Sequence, residues 1–202
     1  MKFAFDYDEF FNEKLESTAI LMWSTHYPTF TLAFYLNQLY GLSLERLENI
    51  TIEQKTGQYS CTIYTCQNYA DQTSFFLIDN PQQAESPNIF DKTMLIIGPD
   101  SQELAQHIHH EIDTVRTAAP PQGNAIADSR QAMLSDFVGT GIFENALFDF
   151  SDPDNPQTTY FQSADSNPAL QKKQQRFLKQ QRQYVSDLIY AIEPLLPDYE
   201  TE

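Results

Sequence analysis

The chain has 202 residues, 41% of them apolar, with 15 Phe and 11 Tyr, enough to bury a core in one domain with an accessory segment. Its net charge of −16 opposes binding to phosphate backbones and to anionic membrane surfaces, so neither nucleic acid nor membrane is an expected partner. It holds no apolar run of the length a membrane-spanning helix needs, about 18 residues.

The opening MKFAFDYDEFF alternates Phe3, Phe5 and Tyr7 with other residues and predicts a strand. Asp6, Asp8 and Glu9 break the apolar run that a signal peptide requires, so a cytoplasmic protein is expected. Ala19 to Trp23, AILMW, predicts a buried strand. Pro28 suits a first helical turn, Leu32, Tyr35, Leu36 and Leu39 follow at helical spacing, and Gly41 can end the helix in the left-handed conformation. Strands are then predicted over Leu44–Glu53, Tyr59–Gln67, Thr73–Asp79 and Lys92–Ile97, separated by ordinary turn residues. Cys61 and Cys66 fall in the second of these at an odd offset, facing opposite sides, so no disulfide between them is expected.

After Gly98-Pro99-Asp100 a helix is predicted over Ser101–Val115, with Leu104, Ile108, Ile112 and Val115 as its apolar stripe. AAPPQGN, from Ala118, has the composition of a linker. A short helix is predicted over Ser129–Val138, interrupted by Gly139 and Gly141. Ile142–Phe150 fits either a helix or a strand. Ser151–Pro168 is polar and Pro-punctuated and predicts a loop. Asn167-Pro168 then starts a long helix to about Glu193, with Leu178, Val185, Leu188, Ile189 and Ile192 on one side.

Three segments stand out together: Tyr27–Leu47 with Leu32-Ala33, Leu36-Asn37, Gly41-Leu42 and Leu44-Glu45-Arg46, then SPNIFDKTM from Ser86 to Met94, then Ile112, Val115, Thr117 and Ala118. In their order and spacing, residues 19–118 resemble the bacterial IPExxxVDY family, small proteins of unknown function. Ser86 to Met94 lines up with the naming motif through Pro87, with Asn88, Lys92, Thr93 and Met94 at its other positions, and Ile112 to Ala118 resembles the closing IxxVxTA. The resemblance implies no activity, but it implies that Val115–Ala118 begins a final strand.

No catalytic residue or cofactor loop emerges: GxSxG, GxGxxG and the P-loop are all missing. Glu103, His107 and His110, spaced by four and three, could present three ligands to Zn²⁺ or Fe²⁺ from one side of a helix, or form a solvated polar flank. His26 is either a base or a turn residue.

The charge is uneven: residues 1–168 carry 7 basic and 23 acidic residues, whereas 169–202 carry 5 of each. All the basic residues of that tail, Lys172, Lys173, Arg176, Lys179 and Arg182, fall in one segment of the long helix. This segment is the candidate surface for an acidic protein partner or for self-association. Its alternative is to pack on its own domain with the charges in solvent.

The expected fold is α+β: an antiparallel sheet of about five or six strands with helices on one face, formed by residues 1–118. Residues 119–202 follow as an extension with a C-terminal helix. The expected function is a noncatalytic interaction or regulatory module. The alternative is a small-ligand binder or enzyme with an acidic, Tyr-rich pocket.

Overall fold

Three runs, AILMW, TSFFLID and KTMLII, are too continuously apolar to turn one side to water, and they become strands covered on both faces. The computed structural model describes residues 14–54, 57–68, 72–80, 90–117, 129–152, 156–161 and 168–196, with the side chains of 54 and 140 left aside. In chain order the elements are β1 (Thr18–Thr25), α1 (Thr29–Tyr40), β2 (Glu45–Arg46), β3 (Ile50–Gln54), β4 (Gly57–Cys61), β5 (Ile63–Asn68), β6 (Thr73–Asp79) and β7 (Lys92–Ile97). They continue with α2 (Ser101–Thr117), α3 (Ser129–Gly141), β8 (Ile142–Asp149), β9 (Gln157–Thr158) and α4 (Pro168–Ile192), which ends in a 3₁₀ turn, Glu193–Leu195. The strand predicted over Phe3–Tyr7, the linker after Ala118 and most of the motif-like segment before Phe90 lie outside the described residues.

Seven strands form one antiparallel sheet in the order β2-β5-β6-β7-β1-β8-β9, and the fold is α+β. The register aligns rows of side chains across it. Phe76 faces Leu95, Leu95 faces Ile20 and Ile20 faces Phe148, and all four are buried under α4. One residue along, Leu77, Met94, Leu21 and Leu147 form the matching row on the other face, under α1, α2 and α3. The period of two divides each apolar strand between two cores. The C-terminal helix closes the second face with Leu178, Val185, Leu188, Ile189 and Ile192, each worth about 1.5–3 kcal/mol of burial before entropy is subtracted.

The helix over 29–40 ends as its sequence indicates, with Gly41 at φ 65°. Beyond it the structure departs from the predicted strands. Asn37 holds the chain at Leu44 by donating to its carbonyl (3.2 Å) and accepting its N–H (2.8 Å), so Leu44–Glu53 divides into β2 and β3. Tyr59–Gln67 divides at Thr62, whose carbonyl accepts the Asp79 N–H (2.9 Å). Its first half pairs with β3 as a separate hairpin, while its second half joins the main sheet. Cys61 faces the α4 core and Cys66 the opposite one, and both are free thiols.

Val115 to Thr117 continue α2 rather than starting a strand. The Thr117 hydroxyl donates back to the Asp113 carbonyl (2.9 Å), a helical spacing, and Val115 packs on the core. The short helix runs through Gly139 to Gly141 instead of stopping at Val138. Ile142–Asp149, ambiguous by pattern, is a strand because β1 offers it an unpaired edge. From the stretch beyond Ala118, β8 lies directly beside β1 in the main sheet.

Candidate functional site

The ends of β1, β6 and β7 converge on an open polar cleft of about 550 Å³, lined by Thr25, His26, Tyr27, Ser60, Asp79 and Lys92 among others. Its floor is built by register. Asp79 closes β6 and Lys92 opens β7, and the antiparallel pairing sets them opposite one another. Lys92 is only 6% exposed, and its ammonium donates to Asp79 Oδ1 at 2.7 Å and to Asp91 Oδ2 at 3.0 Å. Burial alone would lower its pKa, but the hydrogen bonds and charges of the two carboxylates outweigh it and hold the ammonium above its ordinary range.

The surrounding backbone is tied down. Asp91 Oδ1 accepts the Thr25 N–H (2.8 Å), and the Asp91 N–H donates to the Trp23 carbonyl (3.0 Å). Asn80 donates through its amide nitrogen to the Phe90 carbonyl (3.0 Å) and accepts the Tyr184 hydroxyl of α4 (2.7 Å). Burial holds that phenol well above its usual pKa, so Tyr184 remains a donor. The Thr25 hydroxyl donates to the Gly141 carbonyl, and the Tyr27 ring packs where a side chain at Gly141 would stand. Cys61, nearby, has its thiol pushed up to about 12 by burial first and by Asp79 second, which keeps it protonated.

Beside the cleft lies an aromatic surface. Phe30, Phe34 and Phe143 are 64%, 55% and 58% exposed. Rings connect two of them: Phe143 lies 5.4 Å from His26, His26 4.9 Å from Tyr27, Tyr27 5.7 Å from Tyr35, and Tyr35 5.7 Å from Phe34. Phe30 stands one turn before Phe34 on α1. Phe137 of α3 stacks on Tyr35 at 4.9 Å and fixes this layer from below. The Tyr35 hydroxyl donates to Asp136 (2.6 Å), a bond that raises its pKa to about 12.

The residues singled out by sequence sit elsewhere. Glu103, His107 and His110 are all exposed on α2, and no group of three His, Cys, Asp or Glu among the described residues is arranged to hold a metal. His107 instead faces Glu111 at 3.7 Å, and Glu111 accepts both arms of Arg130 at 2.8 Å. The Arg130 bonds hold the Glu111 carboxyl below its usual range. His26 lines the cleft but is exposed. In α4, Lys172, Lys173, Arg176 and Lys179 are exposed and Arg182 is half-buried; of 168–176 only Gln174 is even partly covered, so this end of the helix stands clear of the cores. The Asp79–Lys92–Asp91 cluster was missed. Its one signal was a lysine heading an apolar strand with an aspartate ending the strand before it.

Comparison with family models, curated proteins and solved structures finds no match. No helix among the described residues is long and apolar enough to cross a membrane.

Proposed function

We propose that the chain is a noncatalytic, cytoplasmic protein-interaction or regulatory module. The observation that carries this reading is the aromatic surface, on which exposed Phe34 and Phe143 are joined by a continuous chain of rings and Phe30 lies alongside. Aromatic side chains enrich the energetic centres of interfaces, and contiguous exposed apolar area of this kind is costly without a partner. The projecting basic end of α4, with Lys172, Lys173, Arg176, Lys179 and Arg182, is a second, weaker docking element for an acidic partner or another copy. The likeness of residues 19–118 to the IPExxxVDY family adds no activity to this reading. What supports a noncatalytic role is that the cleft's ammonium is bound by both carboxylates and the nearby thiol stays protonated, leaving no poised nucleophile among the groups described.

The test is capture from native cytoplasm by the full chain and by a Phe30→Ser/Phe34→Ser/Phe143→Ser variant. These exposed positions leave the fold intact, to be confirmed by circular dichroism. A set of proteins retained by the wild type and lost by the variant is expected. Identical retention by both would overturn the reading, and loss only on neutralising the five basic residues of α4 would move the interface there.

A further inference from the structure

The aromatic surface and the polar cleft share two residues, His26 and Tyr27, which stand between Phe143 and Phe34 on one side and line the cleft on the other. A partner seated on the rings therefore reaches the cleft without a break. The cleft's chemistry selects what enters it. Lys92 spends its donors on Asp79 and Asp91, so an entering anion finds no free cation there. Asp79, Asp91 and Lys92 together leave one negative charge. Asp79 is 43% exposed at the side chain, and only its Oδ1 is engaged by Lys92. Asp79 lines a cleft to which Ser60, Thr62 and the aromatic residues His26 and Tyr27 also contribute.

We propose, building on the interaction reading above, that the partner is a protein segment with an arginine or lysine flanked by apolar side chains. The cation enters the cleft against Asp79 with the Tyr27 and His26 rings beside it, while its apolar neighbours lie on Phe30, Phe34 and Phe143. Carboxylate and aromatic face are the two groups that recognise a guanidinium or ammonium. Charge complementarity points the same way: the chain's net charge of −16 favours a basic partner over an acidic one. A second copy is a poorer occupant, since two chains of −16 repel and the basic stretch of each belongs to α4, the helix on the opposite face of the sheet. A free small amine is poorer too, because an open polar cleft buries little of it and the apolar contact lies outside.

The test uses three short fluorescein-labelled peptides: a central arginine flanked by leucine and phenylalanine, the same peptide with neutral citrulline for arginine, and the arginine peptide with serine flanks. Anisotropy gives affinity, and amide shifts in ¹⁵N spectra give location. The arginine–apolar peptide is expected to move amides of both Thr25–Asn80 cleft residues and Phe30, Phe34 and Phe143. Citrulline is expected to weaken it about tenfold, as loss of one charge-assisted contact should. Asp79→Asn, checked for fold by its spectrum, should weaken the arginine peptide and leave the citrulline peptide unchanged. Equal binding of arginine and citrulline, a measurement that needs no variant, would overturn the proposal. Equal binding of the serine-flanked peptide would also overturn it, leaving a site for small cations. If no peptide binds while the phenylalanine triple variant still loses captured proteins, this inference fails and the interaction reading survives.

Discussion

Replacing Lys92 with Met tests the physical account of the cleft floor. Met keeps most of the aliphatic volume and removes the ammonium, leaving Asp79 and Asp91 facing each other without their cation. Breaking a fully buried ion pair costs about 3–5 kcal/mol. Here the lysine is buried, but the carboxylate side chains are 43% and 22% exposed and water can return to them, which reduces the expected loss to about 2–3 kcal/mol. For a chain of 202 residues that is a fall in Tm of about 4–12 °C. Urea unfolding followed by circular dichroism measures it, with an unchanged slope showing that stability alone has moved. The variant Lys92→Met/Asp79→Asn/Asp91→Asn removes the orphaned charges and should recover part of the loss, because the three sites are coupled. A change below about 0.5 kcal/mol for Lys92→Met, or a triple variant no more stable than the single one, would refute the idea that the carboxylates need this cation. The pH dependence has a definite sign. Lys92's pKa is raised on folding, so its contribution is complete below the ordinary lysine value and fades as pH rises through the folded one.

Other perturbations reach the rest of the fold. Leu188→Ala, in the α4 core, should cost about 2–5 kcal/mol in urea unfolding. A chain ending at residue 118 lacks β8 and α4, leaving Ile20, Met22, Phe76 and Leu95 without cover, and should aggregate or bind a hydrophobic dye, whereas a soluble, cooperatively unfolding fragment would contradict the shared core. Gly141→Ala places a methyl where the Tyr27 ring lies and should destabilise by about 1–3 kcal/mol, with less than additive loss when combined with Tyr27→Ala. Burial lowers the pKa of His109, whose side chain is half-covered on α2. Its unfolded form therefore binds a proton first as pH falls, and wild type should lose stability relative to His109→Gln from about pH 6.5 downward in melting curves.

Helices and central strands were legible because their signals are local. AILMW, TSFFLID and KTMLII declare burial by apolar content, and Gly41 marks a helix end by a conformation that few other residues accept. The long helix was legible from Leu178 to Ile192 through its spacing. What stayed hidden depends on neighbours. Ile142–Asp149 has no local preference and becomes a strand because β1 presents an open edge, and the strand predicted over Tyr59–Gln67 divides at Thr62, whose carbonyl is taken by the distant Asp79 N–H.

The same division separates the chemistry. Composition, charge and local residue pattern by themselves indicated an acidic chain of alternating strands and helices without a nucleotide-loop or nucleophile motif, since these are properties of residue type and short spacing. Tertiary structure alone decided that Asp79, Asp91 and Lys92 share one floor and that His26 and Tyr27 join an aromatic surface to it. Antiparallel register brings the end of one strand to the start of the next, and the turn after β1 packs beside a strand from late in the chain. Contacts of that range leave no trace in a single sequence, because each residue alone is ordinary where it stands.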